Sequence, residues 1–169
     1  MAWQSTTNFE HGTDGWRALN LSNSVSLRRV ADGTARAGST FLRCRTSALS
    51  GSVAADLSTV ITMQGVGDGG GPGGGPGPIA LSLQLPALSV DAWVRAAPGG
   101  PAISATLTIW ELFRANDDNH PNMSFVVGPD WTRISHCIRL LGASPQRARI
   151  EFYLGTVNAD FDIDCISVG

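Results

Sequence analysis

Lysine is absent from the sequence, charged residues are few, and no long apolar run occurs. All twelve basic residues are arginines, and the formal net charge is −2 at pH 7. A chain with this balance lacks the basic surface that attracts nucleic acid or an anionic membrane. No apolar run approaches the ~20 residues that a membrane-spanning helix requires. We therefore expect neither a nucleic-acid nor a membrane partner, and we attribute the exclusive use of arginine to the GC-rich coding of a bacterial genome.

A secretion signal is also missing from the start of the chain, and the cysteines do not decide the compartment. Residues 1–7 have neither a basic start nor an apolar stretch, whereas a signal peptide has both. Cys44, Cys137 and Cys165 form an odd number with no metal-binding spacing, which favours free thiols packed as small apolar side chains. The expected location is the cytoplasm for a complete chain and the cell exterior for a domain excised from a larger secreted protein.

Helical periodicity is a further absence. No segment carries a sustained apolar stripe with a spacing of 3.6 residues, whereas alternation of period two recurs along the chain. Many short strands separated by turn residues predict an all-β jelly-roll sandwich of two antiparallel sheets. The length suffices for a two-layer core, so residues 1–169 are predicted to form a single domain. The predicted strands are residues 25–30, 40–46, 53–61, 79–85, 88–96, 103–113, 123–127, 132–140, 148–154 and 161–168.

A stretch rich in glycine and proline at residues 65–78 interrupts the alternation. Glycine loses much backbone entropy on ordering, and proline cannot join a strand ladder. The stretch also lacks the lysine and the Ser/Thr of a phosphate-binding loop. We predict a flexible loop between two strands of the same domain. It is interpreted either as a tolerated insertion or as a mobile flap beside a binding face.

Six segments of the sequence together carry a resemblance to a known family: NFEHGTDGW at 8–16, VDAWVRA at 90–96, LTIWE at 107–111, VGPDWTRIS at 127–135, IEFYL at 150–154 and DFDIDCISV at 160–168. They resemble the carbohydrate-binding modules of the family 4/9 type. The resemblance covers most of residues 8–62 and 79–169, in the order and spacing of that family. It implies a galactose-binding-domain-like jelly roll with its first and last strands side by side, and a non-catalytic function in binding carbohydrate.

Alternation within the strands predicts which side chains face away from the core. In the strand at residues 88–96 the apolar side chains share one face, and Asp91, Trp93 and Arg95 share the other. When the outward faces of the later strands are assembled on one sheet, they combine aromatic rings, arginines and acids. Rings cover the apolar faces of a pyranose, and planar charged groups bind its hydroxyls. The resemblance therefore implies that a concave sheet binds a glycan through Trp93, Trp110, Arg139, Arg149, Glu151 and Tyr153.

A structural calcium ion is a second implication of the resemblance. Modules of this type often share the ion between the first and last strands, and calcium takes about six to eight oxygen ligands. By the resemblance, Glu10 and Asp164 supply carboxylates and the turn at Gly12 supplies carbonyl oxygens, with Asp160 and Asp162 as helpers. The residue after Asp164 is a cysteine instead of the second acid that is frequent in the family. No organic cofactor is expected.

Signatures of catalysis are scarce. No Gly-x-Ser-x-Gly motif occurs, and the three histidines are too scattered for a recognisable metal triad. The alternative to a binding module is a freestanding intracellular cyclase or tailoring enzyme, which would use Tyr153, Glu151 and His120 as proton donors. Asp91 and Glu151 are a candidate carboxylate pair of the glycosidase kind. A third class, a protein-recognition module, would lack a polar and aromatic groove. We favour the binding module.

Overall fold

Strands account for all the regular secondary structure in the described part of the chain. The computed structural model describes residues 5–19, 24–58, 87–112, 120–139 and 147–169. In these ranges it contains no helix, and so none long and apolar enough to cross a membrane. The strands are β1 (Ser5–Thr7), β2 (Arg17–Leu19), β3 (Val25–Val30), β4 (Phe41–Thr46), β5 (Gly51–Ser58), β6 (Ala87–Ala96), β7 (Ile103–Glu111), β8 (Asn122–Val127), β9 (Thr132–Arg139), β10 (Arg147–Leu154) and β11 (Asp160–Val168).

The strands form two antiparallel sheets that pack face to face. The six-stranded sheet has the order β3-β4-β11-β6-β9, with β1 also pairing β11, and the five-stranded sheet has the order β2-β5-β10-β7-β8. Among consecutive strands, β3–β4 and β7–β8 are the pairs that lie side by side in the described residues. This architecture confirms the predicted β-sandwich. The predicted proximity of the two ends of the chain is also confirmed, because β1 pairs antiparallel with β11, although residues 8–16, which carry the resemblance to a first strand, form no strand themselves.

Apolar side chains from both sheets meet in one core. Phe152 of β10 and Phe161 of β11 join the sheets, with ring centroids 5.6 Å apart. Trp16 packs on Phe152 at the same centroid distance, 5.6 Å. Tilted ring pairs add to the free energy gained by burying apolar surface. The residues that the alternation predicts to face the core are buried in the structure. On β6, β7 and β10 they are Val90, Ala92, Val94, Leu107, Ile109, Ile150, Phe152 and Leu154.

The predicted strands agree with the structure along most of the chain and differ at its beginning. β1 and β2 are absent from the prediction, because strands of three residues show too little alternation to be recognised. β5 begins at Gly51, two residues before the predicted start. A Cβ at Gly51 would lie 2.4 Å from Oγ of Ser24 and 2.6 Å from Cγ2 of Val25, so the packing of these two side chains favours glycine at this position. The predicted strand at 79–85 and the predicted loop at 65–78 lie outside the described residues.

The three cysteines are free thiols, and two of them are at least half-buried. Cys44 is fully buried, and this burial raises its thiol pKa well above the usual range. Cys165 is half-buried, and its thiol pKa is raised to about 11, chiefly by burial. Cys137 is exposed, so the expectation of packed thiols is wrong there. Its place in the alternation of β9 turns it outward, away from Ile138 in the core.

Residues 31–40 lie across the outer face of the six-stranded sheet. The Thr34 hydroxyl accepts a 2.6 Å hydrogen bond from Nη2 of Arg95. The guanidinium carbon of Arg36 lies 4.1 Å from the centroid of the Trp93 ring, which is a cation–π contact. This segment therefore covers the outward side chains of Trp93 and Arg95 on β6. The outer face of the five-stranded sheet carries four of the predicted binding residues: Trp110, Arg149, Glu151 and Tyr153.

Candidate functional site

The outer face of the five-stranded sheet gathers aromatic, acidic and basic side chains. β10 lies between β5 and β7, so its outward residues have neighbours on both sides. Residues directly opposite each other in adjacent strands point to the same side of a sheet. Four predicted binding residues, Trp110, Arg149, Glu151 and Tyr153, therefore share one face, as predicted. The opposite residues are Asp56 and Trp110 for Arg149, Ala54 and Thr108 for Glu151, and Ser52 and Thr106 for Tyr153.

Trp110, Glu151 and His120 form one cluster on this face. The indole Nε1 of Trp110 donates a 2.7 Å hydrogen bond to Oε2 of Glu151. The imidazole of His120 stacks on the indole, with centroids 4.4 Å apart and an interplanar angle of 18°. His120 lies just before β8, the strand beside β7, and this position brings it next to Trp110. The hydrogen bond orients the carboxylate, and the stack places an exposed imidazole over one face of the indole.

A second polar group on the same face centres on Asp56. Its Oδ1 accepts a hydrogen bond from Nε of Arg149 at 2.7 Å, and its Oδ2 accepts one from Nη2 of Arg17 at 2.9 Å. The hydrogen bond from Arg149, helped by the positive charges of both arginines, lowers the pKa of Asp56 below its usual value. One carboxylate thus positions two guanidinium groups. All three side chains stay partly accessible to solvent.

Tyr153 extends this face toward the start of β5. Its hydroxyl lies 2.9 Å from Oγ of Ser50, and either oxygen is a suitable donor. The side chain is 46% exposed, which is high for an aromatic residue in a strand. The face therefore presents a second ring, with its hydroxyl held by a hydrogen bond.

Two of the six predicted binding residues lie on the other sheet. Trp93 is on β6 and Arg139 is on β9, and both strands belong to the six-stranded sheet. The prediction that all six side chains share one sheet is therefore wrong. Alternation assigns side chains to a face of their strand but does not assign the strand to a sheet, and the chain changes sheet after β6 and after β9. Trp93 is half-buried beneath Arg36, whereas Arg139 is exposed.

The residues considered for catalysis form no recognisable catalytic arrangement in the described part of the chain. Glu151 accepts a hydrogen bond from an indole, Tyr153 bonds to a serine hydroxyl, and His120 stacks on a ring. Asp91, the candidate partner of Glu151, lies on the six-stranded sheet and pairs with Arg133 at 2.8 Å. The two carboxylates lie on different sheets, so the glycosidase-type pair is wrong. The roles of Tyr153, Glu151 and His120 as proton donors stay predictions.

The carboxylate of Glu10, a predicted calcium ligand, is surrounded by hydrogen-bond donors. Oε1 accepts from the backbone N–H of Ser39 at 2.7 Å and of Thr40 at 3.0 Å, and Oε2 accepts from the Ser39 hydroxyl at 2.6 Å. These bonds, chiefly those from Ser39, lower the pKa of Glu10 to about 2. Gly12 lies in the turn that follows Glu10. The two backbone N–H groups at this carboxylate supply no ligand to a cation, and the Ser39 hydroxyl directs its hydrogen at the carboxylate.

Asp164, the other predicted carboxylate ligand, is fully buried and also accepts hydrogen bonds. Its Oδ2 accepts from the backbone N–H of Arg36 at 2.7 Å and of Ala37 at 3.1 Å, and its Oδ1 accepts from that of Cys165 at 2.8 Å. The helper aspartates pair with arginines. Over the described ranges no group of three or more His, Cys, Asp and Glu side chains is placed to hold a metal. The predicted donor set does not fit calcium, and calcium binding stays a prediction.

Several solved structures share this fold. The CBM22-1 xylan-binding domain of Paenibacillus barcinonensis Xyn10C gives a TM-score of 0.68 at 15% identity, covering 99% of this chain and 94% of that chain. The C-terminal family 22 module of Clostridium thermocellum Xyn10B gives 0.66 at 12%, with 98% and 91% covered. TmCBM61 in complex with β-1,4-galactotriose gives 0.56 at 14%, with 96% and 93% covered. The chain has the β-sandwich fold of carbohydrate-binding modules. No protein-family model and no curated protein matches the sequence.

Two polar residues on the outer face of the five-stranded sheet, Arg17 and Asp56, were not predicted from the sequence. Arg17 lies on β2, which is too short to give a strand signal. Asp56 lies within a predicted strand, and its place in the alternation already turns it outward beside the small residue Ala54. Its link to Arg149 depends on β5 and β10 being neighbours, and sheet order is a non-local property. The sequence signal for Asp56 is an acidic residue at an outward position of a predicted strand.

Proposed function

We propose that this chain is a non-catalytic module that binds a carbohydrate on the outer face of the five-stranded sheet. The observation that carries the proposal is the stacked pair of Trp110 and His120 beside the oriented carboxylate of Glu151. Ring surface and a fixed acceptor are what a pyranose needs for its C–H face and its hydroxyls. The names of the structural neighbours mention xylan and β-1,4-galactotriose, and these names support a carbohydrate ligand over a small-molecule cyclase.

The polar groups of this face are already held in place before a ligand arrives. Glu151 is fixed by Trp110, and Arg149 is fixed by Asp56. Ordering a long side chain on binding costs about 0.5–1.5 kcal/mol, so a prearranged face loses less of its binding energy to this cost. The arrangement supports direct recognition of sugar hydroxyls without a change in the sheet.

The charges on this face favour an uncharged glycan. Arg17 and Arg149 carry positive charge, Asp56 and Glu151 carry negative charge, and the arginines are both paired with Asp56. These four formal charges, which belong to side chains that the structure describes, cancel. A uronic acid or sulfated glycan gains most from arginines that present a bidentate fork to it, and here each guanidinium group already donates a hydrogen bond to Asp56. We therefore expect neutral oligosaccharides among the ligands.

A glycan array followed by calorimetric titration of the best hit tests the proposal. Trp110→Ala removes the stacking surface, and we expect it to weaken binding at least about 10-fold, or ~1.4 kcal/mol. Arg149→Ala and Arg139→Ala form a matched pair, because each removes one arginine from the outer face of one sheet. We expect Arg149→Ala to weaken binding and Arg139→Ala to leave it unchanged. Circular dichroism of each variant checks that the sandwich is folded.

Two results would overturn the proposal. One is the failure of the folded wild-type protein to bind any glycan on the array. The other is a glycan affinity that Arg139→Ala weakens and Trp110→Ala does not, which would move the binding face to the six-stranded sheet.

A further inference from the structure

Residues 36–40 are held between two carboxylates that come from opposite ends of the described chain. Asp164 of β11 accepts the backbone N–H groups of Arg36 and Ala37. Glu10, which follows β1, accepts those of Ser39 and Thr40. Four backbone N–H groups within residues 36–40 therefore offset part of the negative charge of the two carboxylates. The segment acts as a bridge between the region after the first strand and the last strand.

The guanidinium group of Arg29 places a positive charge beside the backbone of Phe9 and Glu10. Nε of Arg29, on β3, donates a 2.7 Å hydrogen bond to the carbonyl oxygen of Phe9, and its Nη2 donates to the carbonyl oxygen of Glu10. The Thr40 hydroxyl donates a second hydrogen bond, of 2.8 Å, to the Phe9 carbonyl. Backbone carbonyl oxygens are ligands that calcium prefers. Here two successive carbonyls accept hydrogen bonds from a guanidinium group.

The backbone at Phe9 shows why these bonds are needed. Phe9 is fully buried and has φ 60°, a left-handed conformation that is rare for a bulky side chain. Such a conformation costs on the order of 1–3 kcal/mol and persists only where surrounding contacts hold it. Arg29 and Thr40 provide those contacts at the carbonyl, and the Asp14 carboxylate accepts a 3.2 Å hydrogen bond from the Phe9 N–H.

We propose that Arg29, together with the amides of residues 36–40, replaces a structural metal ion in this chain. The guanidinium group takes the carbonyl oxygens of Phe9 and Glu10, and the amides take the carboxylates of Glu10 and Asp164. Both kinds of calcium donor are thereby used by groups of the protein itself. The fold is consequently independent of calcium, and its stability depends on Arg29.

The test measures the melting temperature (Tm) of the wild-type protein in EDTA and in millimolar calcium chloride, with a calorimetric titration of calcium chloride alone. Arg29→Gln removes the cation, and Arg29→Lys keeps the charge but offers no fork for two carbonyls. Arg28→Gln is the matched control, because Arg28 is the preceding exposed arginine of the same strand and points to the opposite face.

We expect the wild-type Tm to be the same in EDTA and in calcium, with no heat of calcium binding. Arg29→Gln should lower the Tm by roughly 3–8 °C relative to Arg28→Gln, since hydrogen bonds from a charged donor are lost, and Arg29→Lys should lower it less. A wild-type Tm that rises with calcium would overturn the proposal, whatever the variants do. An Arg29→Gln variant with the same Tm as the Arg28→Gln variant would also overturn the proposal.

Discussion

Gly33 and Gly38 share a left-handed backbone conformation but differ in what a side chain would meet. Their φ angles are 79° and 67°. A Cβ at Gly38 would lie 2.3 Å from Oε1 of Glu10, whereas no heavy atom lies within 4 Å of a Cβ at Gly33. Alanine in this conformation costs about 1–2 kcal/mol. We expect Gly33→Ala to lower the free energy of unfolding by that amount and Gly38→Ala to lower it by about 2–4 kcal/mol, because the Glu10 hydrogen bonds are also disturbed. Urea unfolding checks this, and equal losses would refute it.

The depressed pKa of Glu10 predicts how stability changes in acid. The pKa is about 2 in the folded protein against an ordinary 4.5. A carboxylate with a lowered folded-state pKa contributes stability that is fully present above pH 4.5 and is lost as the pH falls toward 2. Glu10→Gln removes this titration but keeps an amide oxygen as an acceptor. We therefore expect the Tm of the wild-type protein to fall more steeply than that of Glu10→Gln between pH 4.5 and 2. Parallel curves in this interval would show that another group controls acid unfolding.

At the scale of the strand, the alternation of side chains predicted which face of a strand each residue occupies, but it did not predict which strands are neighbours in a sheet. The alternation on β7 and β10 placed Trp110 and Glu151 outward, and the structure confirms both. The same reasoning placed Trp93 outward on β6, also correctly, yet joined it to the wrong sheet. Side-chain direction follows from backbone geometry within a few residues. Sheet order follows from contacts between strands that are far apart in sequence, as β4 and β11 are, so no local pattern contains it.

The buried Asp162 of β11 links three neighbouring strands of the six-stranded sheet. Its carboxylate bonds to Nε of Arg43 on β4 at 2.6 Å and to Nε of Arg95 on β6 at 3.0 Å. Removing one charge from a buried network leaves the others uncompensated, which costs about 3–5 kcal/mol. We expect Asp162→Asn to lower the free energy of unfolding by about that amount. Asp91→Asn, which breaks the exposed pair with Arg133, should cost at most about 1 kcal/mol.

Chemical denaturation of both variants checks this comparison. Asp162 and Asp91 each belong to a central strand of the same sheet, so the pair differs mainly in burial. A loss at Asp162 no larger than that at Asp91 would mean that the network contributes no more than a surface ion pair.

At the scale of the whole molecule, the two outer faces differ in how they are covered. On the six-stranded sheet, residues 31–40 contact Arg95, Trp93 and Trp131. The buried carboxylates of Asp162 and Asp164 there accept hydrogen bonds from arginines and backbone amides. On the five-stranded sheet, the rings of Tyr153 and His120 are exposed. Ligand binding gains most where ring surface and oriented polar groups are still accessible. The asymmetry therefore supports the proposal that the glycan binds on the five-stranded sheet.

The tryptophans provide reporters for this asymmetry, because they are distributed over the core and both faces. Trp16 is buried in the core, Trp110 lies on the five-stranded sheet, and Trp93 and Trp131 lie by the six-stranded sheet. The indole N–H of Trp110 donates a hydrogen bond to the Glu151 carboxylate. A sugar hydroxyl that approaches this carboxylate therefore changes the electronic surroundings of the Trp110 indole N–H. We expect titration with the best array ligand to shift the Trp110 indole signal in a ¹⁵N–¹H spectrum, with smaller changes at Trp93 and Trp131. Assignment by Trp→Phe variants identifies each signal. A ligand that shifts Trp93 and Trp131 and leaves Trp110 unchanged would place the binding face on the six-stranded sheet.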